Sequence, residues 1–233
     1  MHFPELIEGR LLRRYFRFLA DVELLDGRVV TALVHNTGSL LSCVEPGRPV
    51  WLARRNGSGK YHYSWILVRP HRSLVCIDTG VPNAAVYEGA VKQRIPELAG
   101  YREYLSEVAY GDHSRADMLC RVHRDDMLRR CWVEVKSTTL MHDGVAYFPD
   151  SVTERGKKHL VELQRMVEYG DRALQVFFVQ RGDCESFRPA DDIDPDYGKQ
   201  LRIAAAAGVD VIALQAKVTK HMITIKRHLP VEL

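Results

Sequence analysis

The segment Trp132-Val133-Glu134-Val135-Lys136 places two ionisable side chains two residues apart in an otherwise apolar run. On a strand, alternation sends Glu134 and Lys136 to one face and Val133 and Val135 to the other. A charge in such a strand is costly unless it has a partner. A plain Glu–Lys pair at a sheet edge meets that need. The functional alternative makes Glu134 a ligand to Mg²⁺ or Mn²⁺, with Lys136 orienting the attacking water or offsetting phosphate charge. Mg²⁺ favours carboxylate oxygens and keeps several waters, so a second carboxylate is required. Asp117, in Ser114-Arg115-Ala116-Asp117-Met118-Leu119, lies on the preceding strand-like run and supplies it. A third acid would come from Glu88 or Glu107. Asp117, Glu134 and Lys136 are therefore the candidate catalytic residues. Asp117 and Glu134, with Glu88 or Glu107, are the candidate metal ligands. The chemistry is metal-dependent hydrolysis of phosphodiester bonds.

Cations that would meet a polyanion lie elsewhere in the chain. Arg155, Lys157, Lys158 and His159 crowd the start of a helix, where the dipole disfavours cations and favours anions, so a negatively charged ligand would account for them. Arg13, Arg14 and Arg17 interleave with Tyr15, Phe16 and Phe18, a mixture suited to phosphate contact plus base stacking. Arg54, Arg55 and Lys60 flank an Asn56-Gly57 turn, and Arg115 stands two residues before Asp117. Gly57-Ser58-Gly59-Lys60 looks like the end of a phosphate-binding loop, but Arg54 occupies the first glycine position and Tyr61 the Ser/Thr position, so it reads as a hairpin turn. The histidines form no zinc-binding pair at helical spacing.

These residues need elements to hold them. Residues 1–80 read as all-β, with strand-like runs at 18–24, 29–34, 49–52, 62–68 and 74–79 separated by turn signals. That pattern fits a small OB-like barrel or a small sandwich. Thr79-Gly80-Val81-Pro82-Asn83 marks a boundary, giving domains 1–80 and 81–233. The second domain reads as a helix at 84–95, strands at 104–110, 116–122 and 131–136, a helix at 152–169, a strand at 174–180, a helix from Asp194-Pro195 to Gly208, and a strand at 209–214. The turns at Gly111-Asp112-His113 and Arg124-Asp125-Asp126 separate the three strands. Ser151 and Glu154 suggest a capping box, and Gly170 a C-terminal stop. The expected result is an α+β chain with a mixed sheet. The polar, acidic stretch 181–196 reads as a mobile loop.

Composition is that of an ordinary globular protein, 46% hydrophobic and 27% charged. No run approaches the roughly 18 apolar residues of a membrane span, and the N-terminus lacks a secretory apolar core. The expectation is a cytoplasmic protein without membrane contact, its oligomeric state open and a homodimer among the options. Five scattered cysteines without a C-x-x-C pair argue against a disulfide framework or structural zinc. Residues 1–80 carry 11 Lys+Arg against 7 Asp+Glu, and the remainder 22 against 23. The positive excess therefore belongs to the first domain, as expected if that domain meets nucleic acid.

The chain resembles the sugar fermentation stimulation protein A family over nearly its whole length. The resemblance rests on Asn36-Thr37-Gly38, Thr79 with Pro82-Asn83, Tyr110-Gly111 with Ser114-Arg115 and Asp117, Val133-Glu134-Val135-Lys136 with Thr139-Leu140, and the stretch from Phe148 to Leu160. It implies an N-terminal OB-like barrel, a C-terminal domain of the PD-(D/E)xK nuclease type, sequence-nonspecific DNA binding, and a role in regulating sugar use, maltose in particular. The nuclease pattern maps onto Asp117, Glu134 and Lys136, although Ala116 stands where the pattern usually has proline. Three functions compete: a DNA-binding protein, an active Mg²⁺- or Mn²⁺-dependent nuclease, and a regulator acting through a protein partner.

Overall fold

Five strands of alternating apolar residues close the first domain into a barrel. They are β1 (Leu6–Tyr15), β2 (Leu19–Leu24), β3 (Val29–Leu33), β4 (Pro49–Arg54) and β5 (Tyr63–Val68), in the order β3-β2-β1-β4-β5. Parallel pairing of Ala32 with Tyr63 and Leu33 with Ser64 closes the ring. This is a computed structural model, and it describes residues 1–57, 59–110, 114–125 and 127–233. The expected turn at Gly111-Asp112-His113, together with Ser58 and Asp126, lies outside the described residues. Leu11, Val22, Leu52 and Trp65 are fully buried in the barrel interior. Gly9 lets β1 and β2 approach, since a Cβ there would stand 2.6 Å from Val22 Cγ1 and 2.7 Å from the Glu23 carbonyl.

The barrel settles the choice against a sandwich and corrects the strand reading at both ends. β1 was not among the expected strands, because its alternation is masked by arginines pointing outward. The run at 74–79 shrinks to β6 (Val75–Cys76), because the chain turns there into the next domain.

The second domain begins without a linker. Residues 80–83, expected as a boundary, form the first turn of α1 (Gly80–Val91). Proline is tolerated in a first turn because its missing N–H has no helical partner there. A 3-10 turn (Pro96–Leu98) follows, then β7 (Glu103–Tyr110), β8 (Ser114–Arg124), β9 (Met127–Thr138), β10 (Leu140–His142), β11 (Val145–Phe148), α2 (Glu154–Glu168), β12 (Arg172–Val179), β13 (Ser186–Pro189), α3 (Pro195–Ala206), β14 (Asp210–Val218) and β15 (Ile223–Leu229). The main sheet runs β15-β14-β12-β9-β8-β7. Its centre, β9-β12-β14, is parallel and its flanks are antiparallel. Helix α1 packs Val81, Ala85 and Val86 on one face against Val133, Val176 and Leu214. Helices α2 and α3 pack Leu160, Leu163 and Leu201 on the other, against Phe177 and Ala213.

The cap of α2 is Thr153 and not Ser151. Its hydroxyl accepts the Gly156 N–H at 3.1 Å, satisfying one of the helix's free donors. Gly170 (φ 88) does terminate that helix. The stretch 181–196, expected as a mobile loop, is built into the fold: β13 pairs in parallel with β11, and the Arg181 side chain is fully buried. Polarity suggested solvent, but Arg181 pairs with Asp183, Arg188 with Glu232 and Asp191 with Arg202.

Arg181 also joins the domains. Its guanidinium pairs with both oxygens of Asp183 at 2.7 and 2.9 Å and donates to the Thr139 carbonyl (3.0 Å) and, across the boundary, to Ser42 Oγ (3.3 Å). Nearby, Asp150 accepts the Leu40 N–H at 2.8 Å, and the Thr79 hydroxyl donates to the His35 carbonyl at 2.9 Å. Removing one partner of a buried ion pair typically costs about 3–5 kcal/mol because the other charge stays desolvated. Arg181→Met is therefore expected to lower stability by about 3 kcal/mol in urea unfolding. A loss under about 1 kcal/mol would show that this clasp holds nothing together.

Candidate active site

Strand β8 loses its ladder pairing at Asp117. Its pairing with β7 runs through Ser106↔Met118 and resumes at Val108↔Ala116, skipping Glu107 and Asp117. Glu107 sits at φ 55, a left-handed conformation that a glutamate rarely adopts. Pairing with β9 stops at Met118↔Val133. Continued, that register would set Asp117 opposite Glu134. Instead the Asp117 carboxylate enters the gap between the strands, where Oδ2 accepts the backbone N–H of Val135 at 2.7 Å and Oδ1 accepts Asn83 Nδ2 of α1 at 2.8 Å. The strand rotates there: Met118 packs with the α1 side of the sheet, and Ala116, two residues away, with the α2 side.

Glu134 leaves the sheet toward α2. Its carboxyl is 2% exposed. Oε1 accepts from Lys136 Nζ at 2.5 Å and bonds His159 Nδ1 of α2. Arg155 Nε donates to His159 Nε2 at 3.3 Å. That nitrogen is thus the acceptor, which leaves the ring proton on Nδ1, facing Glu134. Both donors crowd onto Oε1, and Oε2 is buried with no hydrogen-bond partner among the described residues. Burial pushes the Glu134 carboxyl up, but the ammonium of Lys136 and the imidazole outweigh it and hold it below its usual range. Asp117 behaves oppositely: burial, then the charge of Glu134, raises it to about 6 despite the Val135 N–H. The two carboxylates thus feel each other's charge, which disfavours ionising both.

Other polar groups share this side of the sheet. Gln175, opposite Glu134 on β12, is fully buried, and its Oε1 has no partner among the described residues. The hydroxyls of Tyr110 and Tyr197 are likewise buried and unpartnered among the described residues, and burial plus the Glu134 charge raises both phenols. On the α1 side, Asp117 and Glu107 line a cavity of about 400 Å³ together with Asn83 and Tyr87. Sequence reasoning missed Asn83, Gln175, Tyr110 and Tyr197 as site residues. A glutamine inside the apolar run 174–180 was the one available signal.

The remaining candidates separate. Glu88 is not at the site: it pairs with the N-terminal ammonium at 2.9 Å and with Lys92, beside Ile225 of β15. The helix residue that meets Asp117 is Asn83, one turn earlier, an amide where an acid was expected. Among the described residues, no three His, Cys, Asp or Glu side chains converge to hold an ion by themselves. A Mg²⁺ site built on two carboxylates and water does not need a third. His159 is not a surface contact for DNA, since it is 5% exposed and belongs to the Glu134 cluster. Arg14 is spent on the carbonyls of Arg17, Asn36, Gly38 and Ser39. Lys157 is paired with Glu154 and Asp196, and Arg13 with Asp21. Arg17, Arg54, Arg55, Lys60, Arg115, Arg155 and Lys158 are exposed. Arg155, already bonded to His159, connects that surface to the site.

Comparisons with known proteins agree with this architecture. Residues 12–77 match the family described as the SfsA N-terminal OB domain, and residues 80–222 that described as the sugar fermentation stimulation protein RE domain. A sugar fermentation stimulation protein homolog of Geobacter sp. (strain M21) is 48% identical, with 100% of both chains covered. One from Thioalkalivibrio sulfidiphilus is 50% identical over 99% of this chain and 97% of its own. A solved structure of Pyrococcus furiosus SfsA in complex with Ca²⁺ superposes with a TM-score of 0.88 at 30% identity, covering 100% of this chain and 98% of that one. No helix among the described residues is long and apolar enough to cross a membrane.

The raised Asp117 carboxyl carries a stability cost with a definite pH window. Unfolded, an aspartate titrates near 3.9; folded, this one titrates at about 6. Below about pH 4 it is protonated in both states and costs nothing. The penalty grows between those values and is complete above pH 6. Asp117→Asn removes the charge and keeps an acceptor for Val135. It is expected to stabilise the protein by roughly 1–2 kcal/mol at pH 8 and not at all near pH 4. Thermal melts at the two pH values check this, and an equal effect at both would contradict it.

Proposed function

The chain belongs to the sugar fermentation stimulation protein family, and on that premise we propose that it binds nucleic acid without regard to sequence and hydrolyses phosphodiester bonds with Mg²⁺ or Mn²⁺ held between Asp117 and Glu134. One observation carries the reading: the buried, unpartnered Oε2 of Glu134, next to an aspartate whose carboxyl is already raised by that same glutamate. A hard divalent cation would satisfy the first and stabilise the ionised form of the second. The Pyrococcus furiosus relative binds Ca²⁺, which takes the same oxygen ligands. A bound ion of this kind supplies an activated water and offsets phosphate charge.

The protein's own groups have separable tasks. Lys136, half-buried and tethered to Glu134, holds a fixed ammonium beside the carboxylates, where a phosphoryl oxygen can meet it. His159 donates to Glu134 Oε1 and so turns Oε2 away from protein donors. Asn83 and the Val135 N–H hold Asp117 at the strand gap. Arg155 and Lys158 on α2 and Arg115 on β8 present charge to the phosphate backbone, contacts that carry affinity but little sequence information. Regulation of sugar use, maltose included, would act through this binding.

A binding-only reading has one observation in its favour. The helix position that meets Asp117 carries the amide of Asn83, so the helix supplies no third carboxylate and Glu107, on the α1-side cavity, is the remaining candidate. Cleavage assays with Mn²⁺ on single- and double-stranded substrates separate the two readings. Glu134→Gln and Lys136→Ala are each expected to lower cleavage by at least about 100-fold while leaving affinity within a few-fold. Binding itself should weaken steeply with salt, as phosphate contacts do. Salt-insensitive binding would remove the nucleic-acid reading. Absence of metal-stimulated cleavage in the parent protein would leave binding alone.

A further inference from the structure

The turn between β1 and β2 displays aromatic rings to solvent at a conformational cost. Phe16 and Arg17 both adopt left-handed backbone conformations, φ 50 and 63, which non-glycine side chains disfavour. Arg14 offsets that cost by donating twice to the Arg17 carbonyl, at 2.9 and 2.6 Å, while its other donors hold the carbonyls of Asn36, Gly38 and Ser39. A half-buried arginine thus pins the turn. The pinned turn leaves Phe16 74% exposed and Phe18 49% exposed. Their rings lie 6.4 Å apart at 29°, with Tyr15 edge-on to Phe16. Burial would have favoured the opposite, since two phenylalanines in water forgo their hydrophobic stabilisation.

The surroundings fit an anionic strand. Arg17, between the two phenylalanines in sequence, bonds Arg14 through its carbonyl, while its guanidinium makes no hydrogen bond or ion pair among the described residues and it lines a cavity of about 380 Å³ at the domain seam. That cavity also takes Thr37 and Thr79 from the first domain, and Ser137 near the end of β9 with Thr139 just past it from the second. Ser137 directly follows Lys136. Thr139 is only 4% exposed. The cavity therefore sets Arg17 of the β1–β2 turn beside the end of β9 and the segment that leads into α2.

Resting on the nucleic-acid reading above, we propose that Phe16 and Phe18 form a stacking platform for unpaired bases, so that the chain's preferred ligand is a single strand laid from the barrel across the seam. Base faces are hidden within a duplex and open in a single strand. Phosphates would meet Arg17 and the hydroxyls of the seam.

Fluorescence anisotropy in EDTA, with a labelled 15-nucleotide single strand and the matching duplex, tests this. The single strand is expected to bind at least about 10-fold tighter, and Phe16→Ala/Phe18→Ala to weaken it by about 10-fold or more while changing duplex affinity less than about 2-fold. Phe16→Tyr/Phe18→Tyr, which keeps the rings, should restore single-strand binding. Equal affinity for both forms, or a double alanine variant with unchanged single-strand affinity, overturns the platform but leaves nucleic-acid binding standing. Failure to bind either form overturns both. A parent dimer that sedimentation shows becoming a monomer in the alanine variant would assign the rings to an interface between copies, and would also overturn the proposal.

Discussion

The backbone N–H of Val135 is bonded to a side chain, the carboxylate of Asp117, where a sheet interior ordinarily supplies a neighbouring strand. Everything at the site follows from that substitution. A buried backbone donor must be satisfied, so the strands can separate beyond Met118↔Val133 only because Asp117 fills the gap. Their separation halts the ladder, turns β8 so that Ala116 and Met118 face opposite sides, and leaves the Asp117 carboxyl at an opening in the sheet instead of in solvent. The cost is electrostatic, a carboxylate held partly dry beside a second one.

The second carboxylate is kept charged by different means. Lys136 lies on its own strand and His159 on α2, and both reach Oε1. An ionised glutamate in the interior is tolerable only with such partners. They leave Oε2 bare, along with the buried polar ends of Gln175, Tyr110 and Tyr197. Four buried polar atoms around one cluster thus lack a protein partner among the described residues, and each calls for a partner such as water or an ion. It is this polarity that the metal-dependent reading proposed above would account for.

Much of this was visible in the sequence, for identifiable reasons. The barrel and the mixed sheet showed through alternation and turn residues, and Glu134 and Lys136 shared a face as their two-residue spacing requires. β1 was hidden by its exposed arginines, and β10, β11 and β13 by their length of three or four residues, although Asp143-Gly144 between β10 and β11 is a strong hairpin signal that the reading passed over. His159 looked like part of a basic surface because helical position alone does not say which side faces the sheet. Helix α1 directs Asn83 at the gap and Glu88 toward the N-terminus. Arg14 and Arg17 are the same residue type three apart, yet one pins a turn and the other is free, a distinction that depends on which carbonyls the fold brings within reach. The acidic stretch 181–196 looked mobile because the bond from Arg181 to the Thr139 carbonyl and the backbone pairing of β13 with β11 are tertiary facts.

The most direct test is a crystal soaked in Mn²⁺ and measured for anomalous scattering. A peak at coordination distance from both Glu134 Oε2 and the Asp117 carboxylate, with Lys136 nearby, is the predicted result. A fully soaked crystal with no peak at that position, or with Mn²⁺ bound only at other carboxylates, would contradict the assignment of this cluster as a metal site.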